Sequence, residues 1–212
     1  TELIFSQAKK TSLVNIFPIG AISKGLKGET LSDMGELKEA GCIAYSDDGR
    51  PVMDSELMRR AFEYSRMFGL PCIQHSEILD LTRDGCMNEG IVSTELGLKG
   101  MPVEAEDIMV FRDISLLQKT GGRLHVAHIS SGGAVDLVRQ AKAKGLPVTC
   151  EVAPHHFTLT EEACRKYDTN SKMSPPLRTH EDIELIKEGL RDGTIDIIAT
   201  DHAPHDLADK QV

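Results

Sequence analysis

The chain alternates between short apolar segments and longer segments in which apolar residues recur every three or four positions. The first pattern is typical of buried β-strands and the second of amphipathic helices. Six strands are predicted, over residues 13–22, 41–45, 70–74, 123–127, 146–152 and a run that begins at Ile197. Helices are predicted over residues 1–7, 29–39, 108–117, 132–144 and 181–190, and between an N-cap at Asp54 and a stop at Gly69.

This alternation of strands and helices determines the class of fold. Near-continuous apolar strands, each followed by a helix, indicate an α/β protein with a parallel sheet covered by helices. Two architectures fit, an open doubly wound sheet and a closed (β/α)8 TIM barrel. No glycine-rich phosphate-binding motif follows the first strand, which weakens the open-sheet alternative. We therefore predict a barrel present as a partial chain, covering about the third to the eighth strand.

Polar side chains follow four of the predicted strands, at or just beyond their ends. They are Asp48, His75, His128 and Asp201. In an open sheet only two or three strands carry reactive side chains, at the crevice where the strand order reverses. In a closed barrel the carboxyl ends of all strands meet at one opening. Four reactive strand ends therefore favour the barrel, and the barrel is expected to bring these side chains together.

Two imidazoles and two carboxylates at one opening form a nitrogen and oxygen ligand set that suits zinc and leaves room for bound water. The last strand is the most informative, because its apolar run ends at Asp201, His202, Pro204 and His205. A strand that only packs in the core does not need acidic and imidazole side chains at its end. Each residue alone has a plainer explanation, since Asp48 lies in an Asp-Asp-Gly turn signal and strand-end histidines are commonly hydrogen-bonded core residues.

The composition argues against a nucleic-acid partner, a membrane span and an oxidising compartment. With 212 residues, 40% of them hydrophobic, the chain is long enough for a packed core. Its 24 basic and 33 acidic residues give a net charge of -9 without a long basic run, so nucleic acid is not an expected partner. No apolar run reaches the roughly 20 residues of a membrane span. The five cysteines are scattered, and Cys42, Cys72 and Cys150 lie in predicted strands, which indicates buried thiols and a cytoplasmic location.

A series of motifs occurs in order along almost the whole chain. They are Ser46-Asp47-Asp48-Gly49, His75-Ser76-Glu77, Met87-Asn88-Glu89-Gly90, His125-Val126-Ala127-His128, the segment 148–156, Ser174-Pro175-Pro176-Leu177-Arg178 and the segment 199–205. Together they resemble the dihydroorotase family of the amidohydrolase superfamily. The resemblance implies a (β/α)8 barrel and the reversible cyclisation of N-carbamoyl-L-aspartate to dihydroorotate in pyrimidine biosynthesis. Residues 1–212 are then expected to be part of a single metal-dependent amidohydrolase barrel domain, without its upstream strands and C-terminal remainder.

The resemblance also implies roles for the residues at the strand ends. Asp48 corresponds to a carboxylate that bridges two zinc ions, and His75 and His128 correspond to ligands of the second zinc ion. Asp201 corresponds to a ligand of the first zinc ion that also shuttles the proton, which makes it the catalytic residue. The implied cofactor is Zn2+, with two ions in the active site.

Two substrate-binding residues follow from the same resemblance. His205 is expected to help hold the carboxylate of the substrate. Ser174 stands where the family often has asparagine, and a serine hydroxyl is shorter than an amide and offers fewer hydrogen bonds. Weaker substrate binding is the expected consequence. The family's His-x-His zinc ligands, and its substrate-binding arginine and asparagine, are expected to lie before Thr1.

The bridging carboxylate distinguishes among related enzymes. Most relatives, including hydantoinases and allantoinases, carry a carbamylated lysine on this strand, whereas no lysine lies between Gly41 and Gly49. We predict an aspartate-bridged, class I type dihydroorotase that acts on a small-molecule substrate and forms a homo-oligomer. The alternatives are another cyclic amidohydrolase and a non-catalytic dihydroorotase-like scaffold subunit of aspartate transcarbamoylase. An association of the active enzyme with aspartate transcarbamoylase is left open.

Other polar residues are interpreted less specifically. Asn88 is predicted to be a turn residue rather than a substrate contact. His125 precedes His128 by three positions and is expected on the opposite side of the strand, packed against the helix layer. His155 and His156 fit two roles, as hydrogen-bonding partners of the ligands or as members of a polar loop.

Overall fold

The computed structural model describes residues 1–11 and 13–210 and confirms the predicted alternation of strands and helices. Within that range the strands are β1 (Ile19–Gly20), β2 (Ala44–Ser46), β3 (Cys72–Gln74), β4 (Met87–Asn88), β5 (Gly100–Met101), β6 (Leu124–Val126), β7 (Val148–Val152) and β8 (Ile197–Ile198). The α-helices are α1 (Glu2–Thr11), α2 (Met34–Glu39), α3 (Ser55–Phe68), α4 (Leu79–Thr82), α5 (Ile91–Leu96), α6 (Glu104–Thr120), α7 (Gly132–Ala143), α8 (His180–Arg191) and α9 (Leu207–Lys210). Short 3-10 helices span Lys24–Leu26, Pro154–Phe157, Glu161–Lys166 and Thr169–Ser171.

The strands form a six-stranded sheet in the order β1-β2-β3-β6-β7-β8 and a separate pair, β4-β5. Pairing is parallel between β1 and β2, β2 and β3, β7 and β8, and β4 and β5. The register places Tyr45 opposite Cys72 and Glu151 opposite Ile197. Parallel strands joined through helices are the α/β class that the sequence predicts.

The chain divides into two compact units, and the first comprises Thr1–His75, Arg112–His125 and Leu146–Val148. Its helix α3 begins and ends where the sequence predicts. The Asp54 side chain accepts a hydrogen bond from the Leu57 amide at 2.8 Å, and Gly69 ends the helix with a φ of 67°. The apolar stripe of α3 is buried as predicted, through Leu57, Met58, Ala61 and Phe62.

The second unit comprises Ser76–Phe111, Val126–Gly145 and the chain from Thr149 onward. Helices α7 and α8 pack against each other in this unit. Two glycines permit their close approach, because a Cβ atom on Gly132 would lie 2.3 Å from Leu185 Cδ1 and one on Gly189 would lie 2.8 Å from Val135 Cγ1. The inward positions Ile183 and Ile186 of α8 are buried as predicted.

Two predicted elements are too long. The strand predicted over residues 13–22 is reduced to β1, because Pro18 has no amide to donate to a strand ladder and Leu13, Val14 and Phe17 are exposed. The helix predicted over residues 29–39 begins only at Met34. The residues before it pair with the chain after β1 instead, through the Ser32 amide and the Ile22 carbonyl at 2.8 Å.

The run from Ile197 forms a strand, as predicted, but the prediction that this strand is buried is wrong. Strand β8 forms, but Ile197 is 47% exposed and Ile198 is 57% exposed. Among the described residues, β8 lies at the edge of the six-stranded sheet and pairs only with β7. An edge strand lacks the neighbour that would cover its second side.

The structure also tests the predictions made from composition about the cysteines and about a membrane span. Cys42, Cys72 and Cys150 are buried thiols, as predicted. In the part of the chain that the structure describes, no helix is long and apolar enough to cross a membrane.

Candidate metal and substrate site

Asp48 and His75 are brought together by the parallel pairing of β2 and β3. Asp48 follows the end of β2 by two residues, and His75 comes directly after β3. Because the carboxyl ends of paired parallel strands lie side by side, the two side chains meet, with His75 Nδ1 3.7 Å from Asp48 Oδ1. The His75 side chain is only 6% exposed and that of Asp48 is 54% exposed. The pair therefore joins a fixed imidazole to an accessible carboxylate.

The neighbouring acid, Asp47, has a different role. Its buried carboxylate accepts hydrogen bonds from the amides of Ile22 at 2.8 Å and Ser23 at 3.0 Å, and from the Ser23 hydroxyl. Asp47 thereby ties the end of β2 to the chain that follows β1. Because the Asp47 carboxylate is used in these hydrogen bonds, Asp48, the next residue, is the acid of the two that can act as a metal ligand.

His128 follows β6 and is 4% exposed. Its backbone φ of 33° lies in the left-handed region, which residues other than glycine adopt only when the surrounding structure holds them there. Asp48, His75 and His128 could each offer one ligand atom to a metal ion, and these atoms lie within 4.8 Å of one another. Three of the four predicted metal ligands therefore form one group.

Asp201, the fourth predicted ligand, lies outside this three-residue group. It is exposed, and its φ of 48° is also left-handed. The charge of Asp201 affects the pKa of His155. Burial lowers this pKa, the charge of Asp201 raises it, and His128 lowers it. Asp201 and His128 are thus each near enough to His155 to interact with it electrostatically.

Ser174 and His205, the predicted substrate-binding residues, line one cavity of about 400 Å³. Both residues are exposed. The cavity wall also carries the ammonium groups of Lys172 and Lys210 and the carboxylates of Glu77 and Asp209. A cavity with charges of both signs and with hydrogen-bonding groups suits a small polar ligand.

His156 is a buried histidine next to this region. It is 2% exposed, and its Nε2 lies 3.0 Å from the Pro175 carbonyl oxygen. The rings of His155 and His156 stand edge to face, with centroids 4.2 Å apart. Burial lowers the pKa of His156 to about 3, so the imidazole is neutral at physiological pH and its Nε2–H donates to the carbonyl.

The pKa of His156 predicts how stability depends on pH. A histidine whose pKa is about 6.5 when unfolded and about 3 when folded stabilises the fold fully above pH 6.5. This contribution is lost as the pH falls below 6.5, at up to about 1.4 kcal/mol per pH unit. In His156→Gln, which keeps an N–H donor but does not titrate, we expect a shallower fall in melting temperature between pH 6.5 and 4. Equal slopes for the two proteins would contradict this assignment.

One predicted role is wrong, and one residue was overlooked. Asn88 is a strand residue of β4 rather than a turn residue, and it is 3% exposed. Its Oδ1 accepts a hydrogen bond from Arg178 Nη1 at 2.9 Å, and its Nδ2 donates to Glu161 Oε2 at 2.7 Å. Arg178 is equally buried, although only its place at the end of the Ser174-Pro175-Pro176-Leu177-Arg178 motif could have indicated a role. His125 is buried, as expected for a packed residue.

Solved structures share this fold. An L-hydantoinase (dihydropyrimidinase) from Arthrobacter aurescens matches 97% of this chain and 47% of its own, with a TM-score of 0.81 and 21% identity. A dihydroorotase from Saccharomyces cerevisiae, solved with 5-fluoroorotic acid, matches 99% of this chain and 58% of its own, with a TM-score of 0.73 and 15% identity. The fold class is therefore that of these proteins, as predicted, and the matched part is about half of each of them.

Comparison of the sequence with known proteins identifies the family more specifically than the shared fold does. The family model described as Dihydro-orotase-like matches residues 1–134. Proteins named dihydroorotase from Geotalea daltonii and Geobacter sulfurreducens are 59% and 57% identical to this chain over all of its length and 50% of theirs. The chain belongs to the dihydro-orotase-like family. It spans about half the length of the curated relatives that it matches.

Proposed function

We propose that the chain is part of a single-domain, metal-dependent dihydroorotase that interconverts N-carbamoyl-L-aspartate and dihydroorotate in pyrimidine biosynthesis. The observation that carries the proposal is the group formed by Asp48, His75 and His128 in a chain of this family. The relatives named dihydroorotase, at 56–61% identity, support the same substrate. A cytoplasmic location and a homo-oligomeric state belong to this proposal.

The ligand group suits zinc. Zinc binds imidazole nitrogen and carboxylate oxygen at about 2.0–2.2 Å in tetrahedral geometry, which places two ligand atoms about 3.3 Å apart. The 3.7 Å between His75 Nδ1 and Asp48 Oδ1 is close to that separation and too long for a hydrogen bond. We assign Asp48, His75 and His128, with Asp201 as a further ligand, as the residues that would hold the two zinc ions.

Zinc held by these residues would supply Lewis acidity toward the ring carbonyl and would lower the pKa of a bound water molecule. Asp201 acts as the general base that accepts the proton of the attacking water. It then acts as the general acid that returns this proton to the departing ring nitrogen, since its protonation state alternates through the cycle. Ring closure uses the same proton transfers in reverse order. The exposure of Asp201 leaves its carboxylate accessible to the substrate.

His205 and Ser174 hold the substrate in the cavity that they line. His205 contributes to binding of the substrate carboxylate, and Lys172 in the same wall adds positive charge. The Ser174 hydroxyl provides one hydrogen bond to the ring. This division leaves the proton transfer to Asp201 and the orientation of the ring to the cavity wall.

A turnover assay of the full-length protein tests the proposed function. We expect hydrolysis of dihydroorotate and cyclisation of N-carbamoyl-L-aspartate, with both activities lost on treatment with a chelator and restored by Zn2+. Hydantoin and allantoin serve as control substrates and should turn over far more slowly. A protein that binds Zn2+ but turns over none of these compounds would support the scaffold alternative, in which the chain associates with aspartate transcarbamoylase. Preferred turnover of hydantoin would contradict the substrate assignment.

A further inference from the structure

The loop that follows His128 is held by a carboxylate from α6. Oε1 of Glu106 accepts hydrogen bonds from the backbone amides of Ser130 at 2.8 Å and Ser131 at 3.1 Å. Its Oε2 accepts a hydrogen bond from the Ser130 hydroxyl. Glu106 is 2% exposed. A single buried side chain thus fixes the backbone two and three residues beyond His128.

Arg178 completes this arrangement from another segment of the chain. Its Nη2 lies 3.7 Å from Glu106 Oε2, and both side chains are only 3% exposed. Its Nε donates to Ser130 Oγ at 3.1 Å, and its Nη1 donates to Asn88 Oδ1 and to the Met101 carbonyl, each at 2.9 Å. The planar guanidinium therefore binds β4, β5 and the loop after β6 at once.

A buried ion pair of this kind needs a reason other than stability. Removing two charges from water costs several kcal/mol for each ion, and well-packed apolar side chains often stabilise a fold as well or better. What an ion pair with defined hydrogen bonds adds is a fixed geometry. Here the fixed loop carries His128, whose left-handed backbone must be held by its surroundings.

Arg178 also ends the segment that carries Ser174. Pro175, next to Ser174, is held by the contact between its carbonyl oxygen and His156 Nε2. Arg178, three residues later, is held by the network around Glu106. The two contacts fix this short segment at both of its ends, on the side of the cavity that Ser174 lines.

We propose that Glu106 and Arg178 are a positioning pair that sets the orientation of the metal ligand His128 and, through the Pro175–Arg178 segment, the position of Ser174. Neither side chain touches the metal or the substrate in this proposal, which rests on the proposed function. The pair acts by holding the backbone amides of Ser130 and Ser131 and the Ser130 hydroxyl. Partners that orient a ligand in this way commonly contribute ten- to a hundredfold to metal affinity.

The test is Glu106→Gln in the full-length protein. The glutamine oxygen can still accept the amides of Ser130 and Ser131, but its NH2 group then faces the Ser130 hydroxyl and the Arg178 guanidinium. We expect zinc affinity, measured by competition with a chromogenic chelator, to fall about tenfold to a hundredfold. We also expect a changed visible absorption spectrum of the Co2+-loaded protein. Arg178→Lys keeps the charge but loses the planar fork, and it should change both measurements in the same direction.

Asp182→Asn is the matched control. Asp182 Oδ1 accepts a hydrogen bond from the amide of Gly132 at 3.0 Å, at the start of α7 and four residues beyond His128. This variant should lower the melting temperature and leave zinc affinity and the Co2+ spectrum unchanged. The proposal is overturned if Glu106→Gln keeps wild-type affinity and spectrum, or if Asp182→Asn weakens zinc binding equally. If Glu106→Gln does not fold, Arg178→Lys decides by the same criteria. A wild-type protein that binds no zinc refutes the proposed function itself, and this inference with it.

Discussion

Replacement of Asp201 by asparagine should lower the turnover of dihydroorotate by about a thousandfold, in both directions of the reaction. Asparagine has nearly the same shape but cannot accept and return a proton, and positioned acid–base catalysis contributes roughly a hundredfold to ten-thousandfold. Rates are measured on the zinc-loaded, full-length protein at saturating substrate. The loss should appear in kcat rather than in KM, because binding in the cavity does not require the proton transfer.

Asp206→Asn provides the comparison for Asp201→Asn. Asp206 lies in the same exposed segment, and its Oδ1 accepts the Asp209 amide at 3.0 Å, a contact that asparagine retains. Its turnover should stay near the wild-type value. If Asp201→Asn keeps wild-type turnover, the acid–base role of Asp201 is wrong, whatever the state of the metal site.

Replacement of Asp48 by asparagine should remove most of the bound metal and, with it, nearly all activity. A neutral amide oxygen is a much weaker zinc ligand than a carboxylate, and Asp48 is the only acid of the three-residue group formed with His75 and His128. Bound zinc is measured by atomic absorption after dialysis. Because the Asp48 side chain is 54% exposed, the melting temperature of the metal-free protein should change little.

The adjacent variant, Asp47→Asn, should show the opposite effects. Asp47 is 2% exposed and accepts hydrogen bonds from Ile22 and Ser23, so its loss of charge weakens buried contacts by about 1–3 kcal/mol. We expect a lower melting temperature of the metal-free protein and retention of zinc in the fraction that remains folded. Equal zinc loss in the two variants, at equal stability, would show that Asp48 is not the ligand of this pair.

Local signals in the sequence predicted much of the fold. The N-cap at Asp54, the stop at Gly69 and the apolar stripe of α3 depend on residues within one helix, and all three are confirmed. The strand over residues 13–22 and the helix over residues 29–39 were too long because their ends depend on pairing partners. Hydrophobic spacing reveals a segment's preference but does not reveal whether another strand covers it.

Part of the candidate site was also predictable, because some of its residues are marked by their position at strand ends. Asp48, His75 and His128 lie one or two residues beyond the ends of strands, so the expected convergence of parallel strand ends predicted them. Arg178 and Glu106 were not predicted, because their role depends on contacts such as that between Arg178 and Asn88, across 90 positions of the chain. The turn preference of asparagine led to the wrong role for Asn88, whose long-range hydrogen bonds outweigh that local tendency.

The start of α7 has a consequence for anions in solution. A helix of this length presents partial positive charge and unsatisfied amides at its first turn, where phosphate or sulfate commonly binds. Here the amide of Gly132, the first residue of α7, is occupied by Asp182, and that of Ala134 by the Ser131 hydroxyl. The two amides just before α7, of Ser130 and Ser131, are occupied by Glu106. The electropositive end of the helix is thus neutralised by internal carboxylates. Inorganic phosphate is therefore not expected to bind at this end of α7.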